Sequence, residues 1–237
     1  IVMIRFYLLI LCLFTLEISH SQESLKFEVG LKSGVSGIYN PSITHVGYVH
    51  DYRLGGAHAA NVMIRKNWKK NVLSIGTQFQ FTTVKYRNFS LPNYLDTTFT
   101  VMDYVNYSNR MFQVQFILGF HRRLPLGFEI GLSLTPTFLC ASFENYKTNY
   151  FNEYAGYEYN GTTKNNPAYN RFVILGSIEL AKVQTLKSGK TLRYTLSPTI
   201  SLSNPGGVNS YGVAMSPKGN FSSFYVNAQA GIAYQFR

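Results

Sequence analysis

The feature that most limits what this chain can fold into is a strict alternation of apolar and polar residues, repeated along most of its length. A period of two belongs to a β-strand, whose side chains point alternately to opposite faces; a helix would repeat every 3.6 residues or so. The clearest run is the last. There Phe224, Val226, Ala228, Ala230, Ile232, Tyr234 and Phe236 share one face, and Tyr225, Asn227, Gln229, Gly231, Ala233, Gln235 and Arg237 share the other. Residues 73–82 and 112–121 repeat the pattern with glutamines on the polar face. Residues 128–138 and 192–202 repeat it with Ser and Thr, and share the phrases LTPT and LSPT. Residues 25–32 and 172–182 follow suit, while 57–66 is the least regular, with Val62 and Ile64 against Asn61, Met63 and Arg65.

These runs make eight predicted strands, an even number. Their lengths match the roughly 9–11 residues that cross a bilayer at a tilt. Short basic turns are expected near 66–71, 122–126 and 183–190, and long polar loops near 35–56, 87–109 and 140–170, with a shorter one near 203–220. Short turns at one end and long loops at the other are the habit of outer-membrane barrels. A soluble lipocalin-like barrel also uses eight alternating strands. Its polar face would meet water and carry many charges, whereas only 14% of this chain is charged and the polar faces hold mainly Gly, Ser, Thr, Gln and Asn.

A mean hydropathy of -0.05 excludes a multi-span helical membrane protein. The one strongly apolar segment follows Arg5 and runs over residues 6–16, ahead of Ser19-His20-Ser21, which reads as a secretory signal over 1–21 with translation starting at Met3. Residues 22–237 are then one barrel domain. Loss of Arg5 and Glu17 leaves the net charge at +11 and Cys140 as the one cysteine, which rules out an intrachain disulfide or a multi-cysteine zinc cluster.

The ending Ser19-His20-Ser21-Gln22, the opening strand LKFEVGLKSG, the alternating strands and the closing GIAYQFR together resemble a known group. It is the small outer-membrane β-barrel family common in Bacteroidota, kin in architecture to the OmpX and OmpA transmembrane domains. The resemblance implies an all-β protein, an eight-stranded antiparallel transmembrane β-barrel with long extracellular loops, in the cell outer membrane of a Gram-negative envelope. One departure stands out: such barrels usually end on an aromatic residue read by the assembly machinery, and here Arg237 follows Phe236.

With the polar faces turned inward, Lys26, Glu28, Arg65, His121, Glu129, Glu179 and Arg193 collect in one half of the lumen. Buried charges must pair, so the three carboxylates are expected to be neutralised by Lys26, Arg65 and Arg193. Such a cluster could be a gate or proton path; in so narrow a barrel a salt-bridged plug is the favoured reading. His45, His50 and His58 are scattered in or beside the first loop, His50 next to Asp51, and no compact Ser–His or Asp–His motif is visible. No catalytic residue, cofactor or metal is therefore expected. Tyr146, Tyr150, Tyr154, Tyr157, Tyr159 and Tyr169 crowd the third loop, either as contacts for a glycan or protein ligand or as part of an aromatic girdle. Lys66, Lys69, Lys70, Arg122, Arg123, Lys187 and Lys190 fall in the short turns, where anionic lipid headgroups suit them better than nucleic acid. The expected function is non-enzymatic: surface binding or envelope stabilisation through the loops, with outer-membrane lipids as constant partners. The alternatives are a subunit of an envelope secretion or assembly machine, with an envelope protein as partner, a lipid-modifying barrel enzyme, and a narrow porin-like pore.

Overall fold

A computed structural model describes residues 25–39, 48–90, 104–151, 156–164, 171–188, 190–203 and 224–236. The signal segment expected over 1–21, His45, Tyr154, Tyr169 and Arg237 lie outside them. Ten strands are present among the described residues: β1 Leu25–Tyr39, β2 Tyr48–Arg53, β3 Gly55–Trp68, β4 Asn71–Ser90, β5 Tyr104–Arg123, β6 Phe128–Phe151, β7 Gly156–Lys164, β8 Phe172–Thr185, β9 Thr191–Ser201 and β10 Phe224–Phe236. Every pairing is antiparallel. Strands β1, β3, β4, β5, β6, β8, β9 and β10 pair in turn and close through β10 and β1 into an eight-stranded barrel. Closure leaves no sheet edge around the ring. Outside the ring, β2 pairs with the far end of β4, and β7 with the far end of β6.

The barrel is inverted relative to a soluble protein. Its outward face carries Leu31 and Leu132, each 64% exposed, with Phe79, Ile178 and Leu196 about half exposed. Its inward face buries Glu28, Gln80 and Arg193 completely. Period-two patterning explains this: shifting any strand by one residue would exchange its faces and turn the buried charges outward among the exposed leucines and phenylalanines.

All eight ring strands fall where the alternation places them, but several run further than expected. β4 and β5 have 20 residues each and β6 has 24, so sheet occupies 48–53, 87–90, 104–109, 140–151 and 156–164, stretches read from sequence as loop. Above the apolar stripe both faces become polar, as with buried Glu144 beside exposed Lys147, so the alternation fades while backbone pairing continues. At about 3.4 Å per residue and a tilt of about 40°, β6 rises about 60 Å along the barrel axis, against an apolar band of roughly 25 Å in membrane barrels. The long-strand end therefore stands well clear of that band.

Two irregularities mark the sheet. Cys140 is the extra residue of a bulge, because Phe112 pairs with Ala141 and Gln113 with Leu139; its thiol is exposed. Pro136 and Pro198, from LTPT and LSPT, each interrupt one ladder, β5–β6 and β8–β9 respectively, as a residue without an N–H must. Both point outward, so the lumen wall stays regular at these heights.

Candidate functional site

Near the short-turn end the lumen holds a continuous ion network. Arg65 on β3 donates to Glu28 Oε2 at 3.1 Å and to Glu129 Oε2 at 2.6 Å. From β9, Arg193 donates from Nε to Glu129 Oε2 at 3.0 Å and from Nη2 to Glu179 Oε1, and its Nη1 lies 3.5 Å from Glu28 Oε1. Gln235 Nε2 adds a bond to Glu28 Oε2 at 2.6 Å. At the rim, Arg123 Nε lies 3.6 Å from Glu129 Oε1. Strands on opposite sides of the ring thus meet through guanidinium forks, the geometry best suited to shared carboxylates.

The third cation differs from the expectation. Lys32 Nζ, rather than that of Lys26, binds Glu179, donating to Oε2 at 3.0 Å and to Ser197 Oγ at 3.2 Å. The ladder rows explain why. Lys32 lies opposite Gly231, Gly231 opposite Thr195, and Thr195 opposite Ala181, two residues from Glu179. Lys26 sits opposite Arg65, one step beyond the last β1–β10 pair, Phe27 with Phe236, and so belongs to the rim.

Glu179 and His121, both expected in the lumen, form with Ser74 a group that the sequence did not reveal. Ser74 Oγ on β4 lies 3.0 Å from His121 Nε2 on β5, and His121 Nδ1 lies 3.6 Å from Glu179 Oε1 on β8. Glycines make room for the ring: a Cβ at Gly131, directly opposite His121, would collide with it, and one at Gly119 would lie 2.8 Å from its Nε2. The order hydroxyl, imidazole, carboxylate is that of an activated nucleophile. Here it faces a cavity of about 30 Å3, room for one or two waters, where a small-molecule site offers roughly 300–1,000 Å3. The wall atoms Gln78 Oε1, Asn227 Oδ1 and Gln229 Nε2 have no hydrogen-bond partner among the described residues, which also suits water.

Above the cavity an amide layer closes the lumen. Gln78 Nε2 donates to Gln115 Oε1 at 2.7 Å and Gln80 Oε1 at 3.1 Å, and Gln80 Nε2 donates to Tyr225 Oη at 2.8 Å. At the far end the tyrosines expected in a loop are on a hairpin instead: Tyr150 is opposite Tyr157, Thr148 opposite Tyr159, and Tyr146 opposite Gly161.

No protein-family model matches the chain, and no curated protein matches it. Solved structures of small outer-membrane β-barrels are similar to it. The attachment invasion locus protein Ail of Yersinia pestis, solved with the heparin analogue sucrose octasulfate, is 8% identical over 90% of this chain and 99% of its own, at a TM-score of 0.33. Neisserial surface protein A is 7% identical over 90% and 100%, at 0.36. The outer membrane protein OprG of Pseudomonas aeruginosa is 9% identical over 90% and 95%, at 0.29.

Proposed function

We propose that the chain is a non-enzymatic barrel of the bacterial outer membrane, acting through its long-strand end to bind a surface ligand or stabilise the envelope. The inverted barrel carries this reading. Exposed leucines and phenylalanines around the ring would lose about 25 cal/mol per Å2 in water and lose nothing in hydrocarbon, while the lumen is filled by ions and amides instead of a channel. The Ser74–His121–Glu179 group faces a cavity with room for one or two waters only, so it orders the lumen and does not turn over a substrate. What the fold offers to the outside is the sheet of β4 to β7 beyond the apolar band, with the tyrosine-bearing hairpin at its end. Tyrosine supplies rigid amphipathic contact area for a glycan or protein ligand.

The test replaces residues 146–161 by a two-residue turn and compares both proteins on cells and in detergent. Folding, followed by the shift of the barrel band on heating, should be retained, while binding of intact cells to glycan arrays or host-type protein matrices should be lost. Unchanged binding would overturn the role of the hairpin. A stoichiometric envelope protein recovered with the native barrel would favour the assembly-machine alternative.

A further inference from the structure

The outer wall over β10, β1, β3 and β4 bears a groove of about 740 Å3. Small side chains create it: Ser33, Ala60 and Ala230 stand between Leu31, Phe79, Phe81 and Phe112, which form its sides. On its floor Ser33 is directly opposite His58, and Ser33 Oγ lies 3.0 Å from His58 Nδ1. Both side chains are exposed on the same stripe as Phe27, Val29, Leu31 and Val35, toward its long-strand end. Whichever tautomer His58 adopts, one donor of the pair remains available: His58 Nε2–H if Ser33 donates, or the Ser33 hydroxyl if His58 does. A polar pair on a hydrocarbon-facing wall is costly, and by default marks a site.

Beyond the groove the outer wall carries three basic residues. Arg110 lies two residues past Phe112 on β5, Lys85 four past Phe81 on β4, and Arg53 is directly opposite Lys85 in the β2–β4 ladder; all three are exposed. Arg110 is thus about 7 Å, and Lys85 about 14 Å, further along than the phenylalanines.

We infer that this wall holds one acylated, phosphate-bearing lipid of the surrounding leaflet. An acyl chain lies in the groove, its ester or amide carbonyl accepts from the Ser33–His58 pair, and its phosphate sits on Arg53, Lys85 and Arg110. A second copy of the chain would set the basic group against itself about a two-fold axis, so a lipid fits the wall better than a dimer. The inference rests on the membrane placement proposed above.

The full chain, refolded into nanodiscs of zwitterionic lipid, would be titrated with phosphatidic acid, with diacylglycerol and with inorganic phosphate, and bound lipid counted by native mass spectrometry. One phosphatidic acid per barrel is expected, with the two fragments of that chemistry at least about tenfold weaker, since each lacks either the charge-assisted bonds or the chain. K85Q/R110Q should weaken phosphatidic acid about tenfold. A60L/A230L, which fills the groove, should abolish its retention, and H58F should weaken it without touching the charges. Equal retention by the unmodified protein and the exposed-charge variant K85Q/R110Q would overturn the site, as would inorganic phosphate binding as tightly as the lipid. Failure of the unmodified barrel to insert at all would overturn the membrane placement, and the site with it; insertion without lipid preference overturns the site alone.

Discussion

Arg193 reaches three carboxylates, Glu28, Glu129 and Glu179, from a position fully shut off from solvent. All three are shared with another cation, Glu28 and Glu129 with Arg65 and Glu179 with Lys32, so without Arg193 two cations are left to three buried carboxylates. Arg193→Met should therefore cost about 3–5 kcal/mol, the penalty of stranding a buried charge. Arg123→Ala is the contrast: its side chain is 40% exposed and its contact to Glu129 is at the rim, so the cost should stay below about 1 kcal/mol. Urea unfolding in lipid vesicles measures both, and equal effects would mean the network does not brace the barrel. His121 supplies a second residue-scale expectation. An added methyl at Gly131 would collide with its ring and lie 2.8 Å from the Phe120 carbonyl, whereas at Gly37 it would meet only Leu54 and Val226 side chains at 3.8 Å and beyond. Gly131→Ala should destabilise by about 1–3 kcal/mol through overpacking, and Gly37→Ala by much less, in the same unfolding assay.

At the scale of the strand, the outward stripe decides between a membrane and water. Leu132 and Leu196 are well exposed, so in a soluble barrel Arg would be tolerated at either position. In a bilayer the same change at mid-depth costs about 2–4 kcal/mol. Leu132→Arg and Leu196→Arg are expected to lower stability in vesicles by that amount each, and a change within about 0.5 kcal/mol would match an ordinary surface substitution instead. The stripe is also what made the strands legible in the sequence: the partition of Phe, Leu and Ile from Gln, Ser and Thr marks which face each residue takes. It marks nothing about height. Lys26 and Lys32 share a face and are equivalent by period alone; only the rows running through Gly231 and Thr195 bring Lys32, and not Lys26, to Glu179. His121 and Glu179 were placed in the lumen by their faces, but their grouping with Ser74 was invisible for the same reason, since three strands contribute one residue each and the spacing between them follows from register. Where both faces turn polar, as in β7 and the far end of β6, the pattern lost contrast and sheet was read as loop.

For the whole molecule, the even strand number puts both ends of the described ring, Leu25 and Phe236, with the short turns, and sends the extended strands the other way. If the barrel sits in the outer membrane as proposed, a cysteine at Asn160 on β7 should react with a membrane-impermeant maleimide on intact cells, and one at Lys69 in the β3–β4 turn should not, with Cys140 replaced by Ala in both. Reaction at Lys69 alone would invert the orientation. The orientation also fixes the order in which an ion entering from outside would meet the lumen. It would reach the amide layer of Gln78, Gln80, Gln113, Gln115 and Tyr225, whose side chains bond one another along the wall and, from Gln80 to Tyr225, across the bore. Below that lies a cavity of about 30 Å3, and below the cavity the forks of Arg65 and Arg193 close the way. Eight strands leave an interior only wide enough for side chains, and widening this one requires breaking ion pairs on opposite walls at once. Planar-bilayer recordings of the refolded protein should accordingly show a closed baseline. A variant opened at both layers, Gln80→Ser with Arg65→Ser and Arg193→Ser, should show current if it folds, and its folding is read independently from the heat-dependent gel shift. Steady large single-channel events from the unmodified barrel would refute the closed lumen and make the ion network the wall of a pore.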